Sequence, residues 1–222
     1  MKLKTILWGL GTILAIAAIL AGPIMSRVEQ AKYTVVEKQG KIEIRDYAPT
    51  VVAEVDVTGP RKKAISEGFR MIADYIFGNN AATSKISMTA PVMQQLGFVP
   101  DAPKSPKLTP GAPQPPEAKQ AFDAWGMWKV RFVMPGQYTL GTLPKPASDA
   151  IHLKEVNGAR YVAIRFAGLA ENDSLRERTE QLNAFITAKN LKAMGQPTYA
   201  FYNPPWTLSP FRRNEVLIEV AK

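Results

Sequence analysis

Few side chains in this sequence are able to do chemistry, and their identities restrict what that chemistry can be. There is one histidine, His152, and no cysteine. A zinc site of several imidazoles, a thiolate metal site, an iron–sulfur cluster, a disulfide framework and a cysteine nucleophile are thereby excluded, and a Ser-His-Asp arrangement could draw on His152 alone. Tyr47, Met71 and Met88 are further side chains of metal-donor type, but their spacing sets none of them apart. Glu43, Asp46 and Tyr75 are of acid–base type without any surrounding catalytic motif, so the expectation is a protein that is not an enzyme. Near the C-terminus Arg212 and Arg213 are adjacent, and a guanidinium can hold a carboxylate through two parallel hydrogen bonds; Arg70 is a third cation of this kind. The simpler alternative for the pair is a surface contact with Glu215 or a solvated strand edge. Trp206 lies in a Pro-rich bend, where a large aromatic either covers the body of the fold or contacts a flat ligand.

The rest of the composition sets the class. The chain has 222 residues, 46% of them hydrophobic and 21% charged, which is the make-up of one folded domain with a short appendage. Lys and Arg number 28 against 19 Asp and Glu; with Lys2 and Lys4 set aside, residues 27–222 carry +7. The basic residues are scattered with no run of five, so no nucleic-acid partner is expected.

Lys2 and Lys4 precede Thr5–Ser26, 22 residues without a charge. About 20 helical residues rising about 1.5 Å each cross a hydrocarbon core of about 30 Å, so this stretch can span a membrane. Ala21-Gly22-Pro23 is a poor signal-peptidase site, which favours an uncleaved anchor at 1–26 over a cleaved signal. The leading flank is the more positive, placing the domain at 27–222 outside the cytoplasm: periplasmic in a Gram-negative cell, or secreted if the leader is cut.

The elements that position the candidate residues follow from periodicity. Tyr33–Tyr47 alternates around Gln39-Gly40 as a β-hairpin, and Thr50–Val57 is a β-branched strand. Gly59-Pro60 opens a helix in which Ile65, Phe69, Ile72 and Ile76 recur at helical spacing until Gly78. Lys85–Met93 reads as a strand ended near Pro91, and Met127–Met134 as another. Between them, seven prolines fall in residues 100–116, and the segment 99–120 is expected to be an extended, mobile loop. The same order then repeats. Ile151–Val156 and Arg160–Phe166 flank Asn157-Gly158, a two-residue hairpin signal; a helix begins near Asn172 with Ser174 and Glu177 spaced as a capping box; Thr198–Tyr202 and Glu215–Val220 are the closing strands. Two such halves would make one curved α+β body with pseudo-two-fold symmetry and a natural pocket between helix and sheet.

Six segments in order, YTVVEKQGKIEIRDYAPTVVAEV (33–55), GFRMIADYIFGNN (68–80), KISMTAPV (85–92), VRFVMPGQYTLGTLPKP (130–146), VAIRFAGLA (162–170) and YNPPWTLSPFRRNEVLIEV (202–220), resemble the SOUL haem-binding proteins. The resemblance implies a distorted antiparallel β-barrel with two helices, built from two pseudo-symmetric halves, here preceded by the transmembrane helix. It also implies non-covalent binding of haem or a related tetrapyrrole in a shallow apolar site. Its walls would be Phe69, Ile72, Ala73 and Ile76 from the first helix with Trp206, Leu208 and Phe211 from the last loop, while Arg212 and Arg213 would meet the propionates. Members proposed to use an axial histidine carry it between an Arg and a Tyr, where this chain has Asp46 between Arg45 and Tyr47. Weak or absent histidine ligation, and hence buffering or delivery of haem, is the expectation. A stripe at helical spacing is also what a helix needs merely to pack on its own sheet. The alternative function is a SOUL-fold scaffold that no longer binds haem and engages a protein partner through the Pro-rich loop.

Overall fold

Alternation along the strands decides which face of the sheet each residue takes, and the computed structural model describes residues 28–98 and 126–222. The apolar leader and the Pro-rich stretch, with the anchoring and partner roles expected of them, lie outside those residues. Among the described residues no helix is long and apolar enough to cross a membrane.

The first half comprises β1 (Glu29–Gln30), β2 (Tyr33–Gln39), β3 (Ile42–Tyr47), β4 (Thr50–Gly59), α1 (Arg61–Ile76), β5 (Thr89–Ala90), β6 (Val92–Phe98) and β7 (Gly126–Val133). The second comprises β8 (His152–Val156), β9 (Arg160–Phe166), α2 (Asn172–Ala188), β10 (Thr198–Phe201), a short 3-10 turn at Ser209–Phe211 and β11 (Asn214–Val220). Nine strands form one antiparallel sheet in the order β2-β3-β9-β11-β10-β6-β7-β4-β8, and β1 pairs with β5 as a separate parallel strip. The fold is thus α+β, two helices on a large antiparallel sheet. The expected Lys85–Met93 strand is instead irregular to Met88 and split at Pro91, whose ring removes a donor from the ladder.

The helices cover one face. α1 packs on β4 and β7, and α2 packs on β9 and β11. Val51, Ala53, Val55 and Val57 of β4, Trp128, Val130 and Phe132 of β7, and Val216 and Ile218 of β11 all point into that core. Each fully buried large aliphatic side chain there contributes about 1.5–3 kcal/mol. The close approach of α1 requires Gly68, because a Cβ at that position would lie 2.7 Å from Val130 Cβ. The expected pocket between helix and sheet is filled by Ile72, Tyr75 and Ile76, each at most 1% exposed.

Two local expectations fail. Asn157-Gly158 is not a hairpin turn, because β8 and β9 do not pair with each other. β9 pairs with β3 from Ile42↔Ile164 to Asp46↔Arg160, β8 pairs with β4 from Thr50↔Val156 to Glu54↔His152, and both ladders hold the same register. Residues 157–159 therefore run alongside the Ala48-Pro49 interruption, and Tyr47 N–H donates to the Ala159 carbonyl at 2.9 Å. Glycine is needed at 158 for room: a Cβ would sit 2.7 Å from the Tyr47 carbonyl oxygen. The capping box of α2 is also not formed. Glu171 occupies the N-cap, and the Ser174 hydroxyl donates to the Leu169 and Glu171 carbonyls.

Candidate functional site

The expected wall residues separate into two environments. On α1, Ile72, Ala73 and Ile76 are buried in the core, and Phe69 is half-buried with its ring centroid 5.4 Å from that of Phe132. Helical spacing there serves packing. In the loop between β10 and β11, Trp206, Leu208 and Phe211 are 68%, 56% and 66% exposed, an unusual density of large apolar surface for six residues.

That loop is held open by its own polar groups. Arg212 donates from Nε to the Thr207 carbonyl at 2.7 Å and from Nη2 to the Pro205 carbonyl, spanning the inside of the bend. Asn203 Oδ1 accepts from Arg213 N–H at 2.6 Å, and Gly168 N–H donates to the Ser209 carbonyl at 3.1 Å. Arg212 is thus a brace for the bend. Arg213 points elsewhere: its Nε and Nη2 donate to Glu215 Oε1 at 3.0 and 2.8 Å, and its guanidinium lies 3.8 Å from the centre of the Tyr202 ring. Arg70 is exposed on α1 and makes no ion pair among the described residues.

The remaining candidates are engaged or remote. Asp46, at the position of the expected axial histidine, accepts two hydrogen bonds of 2.8 Å from Arg160, which hold its carboxyl below the usual aspartate value. His152 is exposed on β8, an edge strand. Burial pushes the Tyr75 phenol up to about 12, and its hydroxyl donates to the Pro144 carbonyl. Met71 and Met88 pack against the core. Among the described residues no group of three or more His, Asp or Glu could hold a metal ion.

On the sheet face opposite the helices the expected contact of Arg213 with Glu215 is made, but in a buried network that the sequence reading missed. Glu215, fully buried on β11, accepts from Arg45 Nη1 at 2.7 Å, from Arg213 and from the Tyr202 hydroxyl at 2.8 Å. Burial alone would pull the Arg45 guanidinium down, but the Glu215 hydrogen bond and charge outweigh it and raise its affinity for the proton. Burial also pushes Glu43 up, and hydrogen bonds from Lys38 and Arg45 more than offset it, leaving that carboxyl lowered. Burial raises the phenols of Tyr47, to about 12, and of Tyr202 further still.

Beside this network lies a cavity of about 280 Å³, walled by Tyr47, Tyr161, Tyr202, Val52, Met93 and Leu217. β1 forms one side, fixed where Glu29 Oε1 accepts from Gly136 N–H and Gln30 Oε1 accepts from Arg213. The signal for this face was present as polar residues alternating with apolar ones in β3, β4 and β11. Which of them converge depends on pairings 170 positions apart, invisible in local periodicity.

Residues 28–219 match the profile of the SOUL heme-binding protein family, and the chain belongs to that family. A sequence search of curated proteins finds no match. Among solved structures the chain is similar to the EcmrR C-terminal domain, with a TM-score of 0.55 at 12% identity over 86% of this chain and 98% of that one. It is also similar to an uncharacterized conserved protein from Listeria innocua (TM-score 0.53, 12% identity, 82% and 92% coverage) and to a protein described as a hydrolase from the same organism (0.51, 12%, 84% and 94%). At these identities the likeness establishes the fold alone.

Proposed function

We propose that the protein binds haem or a related tetrapyrrole non-covalently and buffers or delivers it, without a strong histidine ligand. Family membership supports the ligand class, and the observation that carries the reading is the braced, solvent-facing trio Trp206, Leu208 and Phe211. A porphyrin needs apolar, preferably aromatic, surface for its macrocycle and a cation within reach of its propionates. The trio fits the first need. Arg70 is the cation of the three considered that remains available, since Arg212 and Arg213 are engaged within the protein. Haem would supply the iron porphyrin that is carried; the chain's part is to shelter one face and release it, which suits a bend with no strong donor within it. Under this reading Ile72, Ala73 and Ile76 support the site only by fixing α1.

In the same proposal the sheet is a distorted barrel of two pseudo-symmetric halves. The shared register of the β3–β9 and β4–β8 ladders and the matching orders β4-β7-β6 and β9-β11-β10 favour the two halves. The uncharged stretch at Thr5–Ser26 would tether the domain outside the cytoplasm. Haemin titrated into the full-length chain should give a saturable Soret shift with half-saturation below roughly 10 µM, about 7 kcal/mol of binding free energy. A linear, non-saturating response would refute the proposal.

A further inference from the structure

The geometry points to a second binding site, on the sheet face opposite the helices: the cavity walled by Tyr47, Tyr161 and Tyr202 takes a small amphipathic anion with a flat apolar body. We infer this from three features of the cavity itself, independently of the haem reading.

The wall is aromatic and fixed. Tyr47 Oη accepts from Arg45 at 3.2 Å, the Tyr202 hydroxyl donates to Glu215 and the Tyr161 hydroxyl donates to Glu219. With the hydroxyls tied down, the rings offer their carbon surface, and Tyr47 and Tyr161 meet edge to face at 5.4 Å. Val52, Met93 and Leu217 complete an apolar lining. Apolar walls with a few placed polar groups are the ordinary make-up of a small-molecule pocket.

Size limits the guest. A dry cavity of about 150 Å³ accommodates benzene. The volume here, about 280 Å³, suits a two-ring body.

Charge selects its sign. Lys32 and Arg131 line the cavity against a single acid, Glu29, whose Oε1 is held by Gly136 N–H. Arg131 is paired with Glu54, whereas Lys32 is exposed and makes no ion pair among the described residues. Behind the wall the buried Glu215 is shared by two guanidiniums, those of Arg45 and Arg213. Two lining cations thus face one lining carboxylate, and Lys32, with no acid of its own, is placed to meet an anion.

Calorimetric titration of the full-length chain with naphthalene-2-sulfonate tests the assignment, beside naphthyl-trimethylammonium as the cation of matching size. Saturable one-to-one binding of the sulfonate is expected. Lys32→Glu should weaken it roughly fivefold or more, an effect that shrinks as salt rises. Met93→Trp, which fills the cavity, should abolish it, while Trp206→Ala should leave it unchanged; circular dichroism confirms that each variant is folded. Absence of saturable binding, equal or tighter binding of the cation, or unchanged affinity in a folded Lys32→Glu or Met93→Trp variant would overturn the proposal. Because haemin binding is tested through Trp206 and its neighbours, the two sites fail separately.

Discussion

Arg45 and Glu215, 170 positions apart, meet in a two-pronged ion pair, Nη1 to Oε2 at 2.7 Å and Nη2 to Oε1 at 3.2 Å, with both side chains almost entirely out of solvent. The pair joins the first hairpin to the last strand. Arg213 approaches the same carboxylate from the other side, so one buried acid holds a buried and a half-buried cation. Glu215→Gln should therefore lower stability by up to about 3–5 kcal/mol, because removing the acid leaves Arg45 with Glu43 alone and takes from Arg213 its carboxylate partner. Chemical denaturation with an unchanged m-value checks it; a loss below about 1 kcal/mol would mean that water or other groups replace the acid.

Gly158 is a steric requirement. Gly158→Ala places a methyl 2.7 Å from the Tyr47 carbonyl oxygen, and overpacking of this kind costs about 1–3 kcal/mol. Asn157→Ala, by contrast, should be nearly neutral, since no two-residue hairpin turn depends on it. Equal losses in the two variants, read from thermal melts, would restore the turn interpretation.

Acid should destabilise the domain through particular carboxylates. In Glu54 burial pushes the carboxyl up, but hydrogen bonds from Arg131 and Lys129 outweigh it and hold it below its ordinary value of 4.5. Glu43 and Asp46 are lowered as well. A carboxyl that binds its proton less readily when folded contributes stability that is complete above its unfolded pKa and is lost as pH falls through the folded one. Melting temperature should hold near neutrality and fall between about pH 5 and pH 2. Arg131→Met should flatten that fall; an unaltered profile would count against Glu54 as a contributor.

The elements were legible where a single period ran long enough to fix a face: α1, α2 and every strand of the large sheet except the one broken at Pro91. Trp206 stood out because a Pro-rich bend gives a large aromatic no sheet to pack on, whereas Leu208 and Phe211 entered only through the family resemblance. Ile72 and Ile76 were ambiguous, since core and ligand wall demand the same spacing, and burial decided for core. Arg212 and Arg213 looked equivalent as neighbours, yet alternation at the start of β11 sends one across the bend and the other to Glu215. Asn157-Gly158 misled because glycine serves close approach as readily as a turn. The tyrosine-walled cavity could not be read at all, being assembled from ten strands whose pairing is largely non-local.

Individual truncations of the bend should separate binding from folding. Trp206→Ala and Phe211→Ala remove exposed side chains, so stability should stay within about 0.5 kcal/mol, while haemin affinity falls roughly tenfold, about 1.4 kcal/mol. Leu208→Ala should act in the same direction with a smaller effect. A drop in melting temperature matched to the loss of binding would make these residues structural instead.

Haemin titration of the full-length chain, run beside a Trp206→Ala/Leu208→Ala/Phe211→Ala variant and a His152→Ala variant, bears most directly on the account. Saturable binding that survives loss of the imidazole with an unchanged Soret maximum, and disappears with the three apolar side chains, is the predicted result. Binding that persists in the triple variant, or that vanishes with His152, would contradict it.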